Sequence, residues 1–100
     1  MNVWQLPVKF EWDQWNIVKN HKHGLETSEI EEVFFGRKKL LAIDYKHNQA
    51  ESRYILIGCS QRGRWLYVVF TIRGENIRVI SARYMHHKEV KRYEKTITNT

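Results

Sequence analysis

The chain has 100 residues, of which 42% are hydrophobic and 13% aromatic. This size and composition suit one folded domain with a single core, so we expect one domain over residues 1–100 and exclude a disordered tail. No apolar run approaches the roughly 18 residues of a membrane span, and the first residues lack the layout of a signal peptide. The single Cys59 can form no internal disulfide, which suits a reducing compartment. We therefore expect a cytoplasmic protein with no membrane segment.

The net charge of +6 is unevenly distributed along the chain. Residues 1–50 hold seven Lys and Arg against seven Asp and Glu, whereas residues 51–100 hold ten against four. Seven of those ten cations are arginines, whose planar guanidinium binds a phosphate through two parallel hydrogen bonds. The second half therefore predicts a polyanionic partner, with a merely soluble basic surface as the alternative.

The first predicted elements are a short strand at residues 8–12 and a helix that follows it. Asp13 offers an N-cap for this helix, which continues to Lys22, and Gly24 ends it because glycine adopts the left-handed conformation at little cost. The helical period places a set of side chains on one face, which we expect to be buried: Trp12, Trp15 and either Val18 or Lys19.

A second helix is predicted from a start signal, an apolar stripe and a stop signal. Ser28 and Glu31 have the spacing of a capping box, and Gly36 follows the last periodic residue. We expect this helix to bury Ile30, Val33 and Phe34 in the core.

The rest of the chain predicts four strands and a final helix. The strands are expected at residues 40–45, 53–60, 65–72 and 77–83, with turns in which Gly63 and Gly74 take positive φ. A basic helix follows at residues 86–95, with Val90, Tyr93 and Ile97 as its apolar stripe. The predicted fold class is α+β: two N-terminal helices pack on one face of a four- to five-stranded antiparallel sheet. The other sheet face and the last helix would then remain for a partner.

The sequence contains no nucleotide-binding loop, no serine or cysteine nucleophile motif and no paired cysteines. His21, His23 and His86 could be imagined as metal ligands, but their spacing is a weak signal and solvated helix ends explain them better, so we expect no metal and no cofactor. One chemistry that needs no protein nucleophile is RNA cleavage, because the 2′-hydroxyl of RNA attacks the phosphorus itself. The sequence contains side chains of the types that this chemistry requires: Lys22, His23, Arg64, Arg78, Arg83 and Tyr93. The alternative interpretation is that the arginines among them are solvated cations at strand ends.

Several short sequence motifs, in the same order and with similar spacing, resemble those of the BrnT family of toxins. They include FEWD at residues 10–13, KHG at 22–24, EEVFF at 31–35, IGCSQRGR at 57–64, LYVVFTIRG at 66–74, IRVISAR at 77–83 and KRYE at 91–94. The resemblance covers nearly the whole chain, from residue 10 to about residue 94.

This resemblance implies a RelE-like fold and a metal-independent endoribonuclease of a type II toxin–antitoxin system. The implied partners are an RNA substrate and a ribbon-helix-helix antitoxin of the BrnA type, with operator DNA bound only through their complex, a heterotetramer being one arrangement. The matching residues would be catalytic, with Arg64 and Arg83 holding the scissile phosphate: Lys22, His23, Arg64, Arg83 and Tyr93. Further RNA contacts are expected from the surrounding cations: Arg62, Arg73, Arg78, Lys91 and Arg92. Two alternatives remain open, a non-catalytic RNA- or DNA-binding module and a purely protein-binding partner.

Overall fold

The computed structural model describes residues 9–47 and 51–98. Three helices and five strands follow one another in the order β1 (Lys9–Phe10), α1 (Gln14–Lys22), α2 (Thr27–Phe35), β2 (Lys39–Ile43), β3 (Arg53–Cys59), β4 (Trp65–Arg73), β5 (Asn76–Tyr84) and α3 (His87–Thr98). A short 3-10 turn at Tyr45–His47 follows β2. The strands form one sheet in the order β1-β5-β4-β3-β2.

The sheet is mixed, so the prediction of an antiparallel sheet is wrong. Strands β2 to β5 pair antiparallel, as expected, but β1 runs parallel to β5. Lys9 lies opposite Asn76 and Phe10 opposite Ile77, and the amide of Glu11 donates to the carbonyl of Ile77 at 2.8 Å. Because β1 has only two residues and pairs with a strand far along the chain, its direction leaves no mark on the local sequence.

The register of β4 and β5 shifts by one residue near the middle of the pair. Val69 lies opposite Ser81 and Phe70 opposite Val79, so Ile80 is an extra residue on β5. Side chains alternate between the two faces of a strand, and the extra residue reverses that alternation beyond it. As a result Ile77, Val79, Ala82 and Tyr84 all face the same side of the sheet, towards the core.

Helix α2 buries its apolar stripe in the core, as predicted. Ile30 and Val33 are fully buried and Phe34 nearly so, and they pack with Leu25 on the inner side chains of β3 and β4. Gly58 permits this close approach, because a Cβ there would lie 2.8 Å from a methyl group of Val33. Gly36 caps the end of the helix as predicted.

The predicted capping box of α2 is wrong. The helix starts at Thr27 with Glu26 as N-cap, and no side chain caps it. The hydroxyl of Ser28 instead accepts a hydrogen bond from Arg62 at 2.9 Å. Arg62, which is distant in the sequence, therefore binds the Ser28 hydroxyl that the local pattern assigned to capping the helix.

Helix α1 has the predicted bounds but the opposite orientation. Asp13 caps it by accepting from the amide of Asn16 at 2.7 Å, and Gly24, with φ of 76°, ends it as predicted. The stripe expected in the core is largely exposed, since Trp15 is 77% and Val18 46% accessible, while Asn16 and Asn20 are buried. The amide group of Asn16 donates to the carbonyl of Val79 at 3.0 Å. This carbonyl lies on the edge of β5 beyond the end of β1, where a buried acceptor requires a donor.

Helix α3 lies on the sheet face opposite α1 and α2, so the prediction that this face is left open is wrong. Arg83 and Tyr67 lie directly opposite each other on β5 and β4, on the side away from the core. The guanidinium of Arg83 pairs with Glu89 of α3 at 2.9 Å. The last helix therefore covers part of the face that we expected to be open. No helix in the described residues is long and apolar enough to cross a membrane.

Candidate functional site

Two arginine clusters lie at the same end of the sheet but on opposite faces. Arg64 stands immediately before β4, and β5 ends with Arg83 and Tyr84, which lie opposite the first residues of β4. Since adjacent residues of a strand point to opposite sides, Arg83 and Tyr84 belong to different faces. We call the set on the α1–α2 side the inner cluster (Glu29, Ser60, Arg64, Tyr84) and the set on the α3 side the outer cluster (Tyr67, Arg83, Glu89, Tyr93).

The inner cluster is built around a fully buried carboxylate. Glu29 accepts hydrogen bonds from the Ser60 hydroxyl at 2.8 Å, from Nε of Arg64 at 2.8 Å and from the Tyr84 hydroxyl at 2.8 Å. A second Arg64 nitrogen, Nη2, completes a two-point contact with the same carboxylate. Burial raises the pKa of Glu29, but these hydrogen bonds outweigh it and leave the pKa below its usual value. The carboxylate therefore remains charged in the interior because each of its oxygens is bound.

The inner cluster also fastens the corner between α1 and α2. The guanidinium of Arg64 lies 4.6 Å from the centre of the Tyr84 ring, and the Tyr84 hydroxyl is 3.2 Å from the carbonyl of Gly24. Lys22 and His23, the two residues before that glycine, are both exposed. The structure thus brings three of the predicted catalytic residues to one corner: Lys22, His23 and Arg64.

The outer cluster holds Arg83 between a ring and a carboxylate. Nη1 and Nη2 of Arg83 donate to the two oxygens of Glu89 at 2.9 and 3.0 Å, and Nη1 also lies 3.3 Å from the carbonyl of Tyr84. The guanidinium lies 4.6 Å from the centre of the Tyr67 ring. Arg83 remains 45% exposed despite these contacts. Its position is therefore fixed while much of its surface stays open to solvent.

Glu89 has a second role at the start of α3. Its carboxylate accepts from the backbone amide of His86 at 3.0 Å, which caps the helix end. The bonds from Arg83 and from the His86 amide lower the pKa of Glu89 to about 2. One charged side chain thus joins the start of α3 to the end of β5.

Two of the five N–H groups of Arg83 have no acceptor among the described residues. Nη1 donates twice and Nη2 once, which leaves Nε–H and the second Nη2–H. These two groups lie side by side on one edge of the planar guanidinium, in the arrangement that binds two oxygens of a phosphate. Arg83 can therefore bind a phosphate without releasing Glu89.

Tyr93 and a row of cations continue the outer cluster along α3. Tyr93 is half-buried. The pKa of Tyr67 is raised mainly by the burial of Tyr67 itself, and Tyr93 lies close enough to raise it further. Lys88, Lys91 and Arg92 are exposed and follow one another around one side of the helix. No ion pair involves these three cations within residues 9–47 and 51–98.

Three of the predicted RNA-binding arginines are already paired with carboxylates of the chain. Arg62 contacts Glu26 at 3.3 Å and Glu32 at 3.5 Å. Arg73 contacts Glu51 at 3.6 Å. Arg78 lies 2.6 Å from the N-cap Asp13 and 3.9 Å from Glu11. The acids that pair with Arg62 and Arg78 belong to the first half of the sequence, so the fold partly neutralises the charge excess of the second half.

Five residues of these clusters were not predicted from the sequence: Glu29, Ser60, Tyr67, Tyr84 and Glu89. Glu29 stands four positions before the buried Val33, and a carboxylate on an apolar stripe could have signalled a buried ion pair. Tyr67 and Glu89 become partners of Arg83 only through strand register and helix placement, which left no local signal. In the described part of the chain, no three His, Cys, Asp or Glu side chains are grouped as metal ligands.

The comparisons with known proteins agree with the resemblance in the sequence. A family model described as "Ribonuclease toxin, BrnT, of type II toxin-antitoxin system" matches residues 12–89. The match includes the whole inner cluster and, from the outer cluster, Tyr67, Arg83 and Glu89. No curated protein matches the chain. The chain belongs to the BrnT family of ribonuclease toxins from type II toxin–antitoxin systems.

Proposed function

We propose that this chain is an endoribonuclease that cleaves RNA at the outer cluster and thereby arrests translation. The observation that carries the proposal is the open edge of Arg83, whose Nε–H and second Nη2–H have no acceptor among the described residues. Tyr67 and Glu89 hold this edge in place, so a phosphate would meet donors that are already oriented.

The proposed reaction uses the RNA's own nucleophile and needs no metal. The 2′-oxygen forms a bond to the adjacent phosphorus while the bond from phosphorus to the 5′-oxygen breaks. The products are a 2′,3′-cyclic phosphate and a 5′-hydroxyl. A base removes the 2′-hydroxyl proton, an acid protonates the leaving 5′-oxygen, and Arg83 stabilises the charge that develops on the phosphate oxygens. Tyr93 is the residue of the outer cluster that we assign to proton transfer or to stacking on a base.

The cations around the two clusters would hold the RNA on either side of the cleaved bond. Lys91 and Arg92 continue from the outer cluster along α3 and would bind flanking phosphates. Lys22, His23 and Arg64 reach the same end of the sheet from the inner face, and we propose that they form a second group of RNA contacts and assist catalysis from there. The remaining expected contacts are with arginines that already bind carboxylates of the chain: Arg62, Arg73 and Arg78. Because an RNA phosphate would have to compete with those carboxylates, we expect these contacts to be weaker.

Membership of a type II family implies an antitoxin protein as partner. We propose that this antitoxin has a ribbon-helix-helix fold, that it neutralises the toxin in a heterotetramer, and that operator DNA is bound only through the complex. We place the complex in the cytoplasm, where the RNA substrate is found.

The proposal is tested by incubating the purified protein with end-labelled RNA in EDTA. The expected products carry 5′-hydroxyl and 2′,3′-cyclic phosphate ends. Arg83→Ala should slow cleavage by about 100-fold, the usual cost of removing one donor to a transition-state oxyanion. Arg73→Ala is the matched control, because it removes an arginine of similar exposure from the other end of β4, where only a weak RNA contact is expected, and it should slow cleavage far less than Arg83→Ala.

Two results would contradict the proposal. If Arg83→Ala cleaves RNA as fast as the wild-type protein, the outer cluster is not the site of the reaction. If the wild-type protein binds RNA in a salt-sensitive way but releases no fragments, the non-catalytic binding module is the better description, and the cations on α3 account for the binding.

A further inference from the structure

The outer side of α1 exposes apolar side chains that the fold does not use. Trp15 is 77% exposed, Val18 46% and Ile17 43%. A helix that packs on a sheet ordinarily turns such residues inwards, but here Asn16 and Asn20 occupy the buried side. The orientation is firmly set, because Asn16 is bound to β5 and both ends of the helix are capped.

Two of these residues, Trp15 and Val18, form one continuous strip with two lysines. Trp15, Val18, Lys19 and Lys22 occupy successive positions on one side of the helix and line a depression of about 80 Å³. The apolar stems of the two lysines extend its walls while their ammonium groups stay in water. Residues spaced in this way accept the apolar side chains of a second helix laid along the first. We call these four residues the α1 strip.

The charge of the α1 strip indicates what would bind there. Helix α1 contains Lys19, His21 and Lys22 and no Asp or Glu, so a complementary surface has to bring carboxylates. RNA also brings negative charge, but its bases stack on aromatic rings or on the planes of arginines. The α1 strip has one aromatic ring, that of Trp15, and no arginine, and its Val18 and lysine stems offer a base no flat surface. An amphipathic protein helix with acidic flanks satisfies both the apolar and the basic parts of the strip.

We infer that the α1 strip is a docking surface for an acidic amphipathic helix of the antitoxin. This inference rests on the proposed function, because it takes the antitoxin as the partner. Helix α1 packs on the sheet face opposite the outer cluster, so a helix docked there leaves Arg83 uncovered. Antitoxin binding and RNA cleavage at Arg83 are therefore separable by mutation of Trp15, Val18 or Lys19, whereas Lys22 is shared with the proposed RNA contacts.

The test measures two quantities for each variant: affinity for the antitoxin encoded in the same operon, and the rate of RNA cleavage by the free toxin. Trp15→Ala and Val18→Asp should each weaken antitoxin binding by at least about tenfold, since a buried anchor at an interface is lost or charged. Cleavage should be unchanged in both. Tyr45→Ala is the matched control, because Tyr45 is 81% exposed but lies on a different element, and it should change neither quantity. Lys19→Glu should weaken antitoxin binding more at low salt than at high salt.

Each outcome bears on a different statement. Unchanged antitoxin affinity in Trp15→Ala and Val18→Asp overturns the inference and leaves the proposed function standing. Slower RNA cleavage with unchanged antitoxin affinity also overturns it and assigns the strip to RNA. A wild-type protein that neither cuts RNA nor binds the antitoxin overturns the proposed function itself. Thermal melts of all variants confirm folding, and since each substituted side chain is exposed, the melting temperatures should agree closely with the wild-type value.

Discussion

The inner and outer clusters are built from the same parts but have different surroundings. Each contains an arginine, a glutamate held at two points and a tyrosine ring 4.6 Å from the guanidinium. The two arginines are also equally accessible, at 46% and 45%. The difference lies in the glutamates, because Glu29 is completely buried whereas Glu89 is 29% exposed.

This difference separates an ion pair on which the stability of the fold depends from one whose loss the fold tolerates. A buried carboxylate that loses its cation stays in the interior with an uncompensated charge, and the fold bears that cost. A carboxylate near the surface is solvated by water when its partner leaves, so the fold is little affected. Accessibility of an arginine is therefore a poor guide to its role, and the burial of its partner is a better one.

The largest expected effect that tests this comparison is on stability. Arg64→Ala should lower the free energy of unfolding by about 3 kcal/mol, at the low end for breaking a buried pair because Arg64 itself is half exposed. Arg83→Ala is the control and should lower it by less than about 1 kcal/mol. Urea denaturation of both variants measures the two values. Equal losses would show that the burial of the glutamate does not distinguish the clusters.

A smaller effect is expected from the tyrosines. Tyr84→Phe removes the hydroxyl that donates a hydrogen bond to Glu29, which should lower the free energy of unfolding by about 1–2 kcal/mol. Tyr67→Phe keeps the ring beneath Arg83 and should leave the free energy of unfolding nearly unchanged. Thermal and urea unfolding of the pair would contradict the comparison if Tyr67→Phe proved the more damaging change.

The smallest expected effect is on the pH dependence of stability. Folding lowers the pKa of Glu89 from an ordinary 4.5 to about 2, so the unfolded chain binds more protons between these values. The stabilisation from Glu89 is then complete above pH 4.5 and is lost as the pH falls towards 2. Unfolding free energies measured across this range should depend less steeply on pH in Glu89→Gln. A slope equal to that of the wild-type protein would mean that Glu89 does not carry this dependence.

Local signals predicted much of the fold. The bounds of α1, the apolar stripe of α2, the helix-ending Gly24 and Gly36, and the four later strands follow from hydrophobic period and glycine placement, which act over a few residues. The orientation of α1 could not be predicted, because a hydrogen bond from Asn16 to a carbonyl 63 residues away decides it. The direction of β1 and the partner of Ser28 depend on equally distant residues.

The candidate site was harder to predict for the same reason. The acids that pair with Arg62, Arg64 and Arg78 lie in the first half of the sequence. A sum of charges over each half therefore counts these arginines as unpaired. Which face an arginine occupies depends on strand register, and a shift of one residue exchanges the faces. The catalytic roles of Lys22, His23, Arg64, Arg83 and Tyr93 stay predictions, to be decided by the cleavage measurements above.

The alternation of side chains beyond the extra residue of β5 makes the toxin vulnerable to a particular kind of genetic change. Ile80 reverses the alternation of the strand, and this reversal sends Arg83 towards α3 and Tyr84 towards Glu29. Insertion of one codon between Ala82 and Arg83 would keep the reading frame and every arginine, yet exchange the faces of Arg83 and Tyr84, because side chains alternate along the strand. A cell under pressure to escape the toxin could thus silence it with a three-nucleotide insertion that leaves both the gene length and its composition almost unaltered.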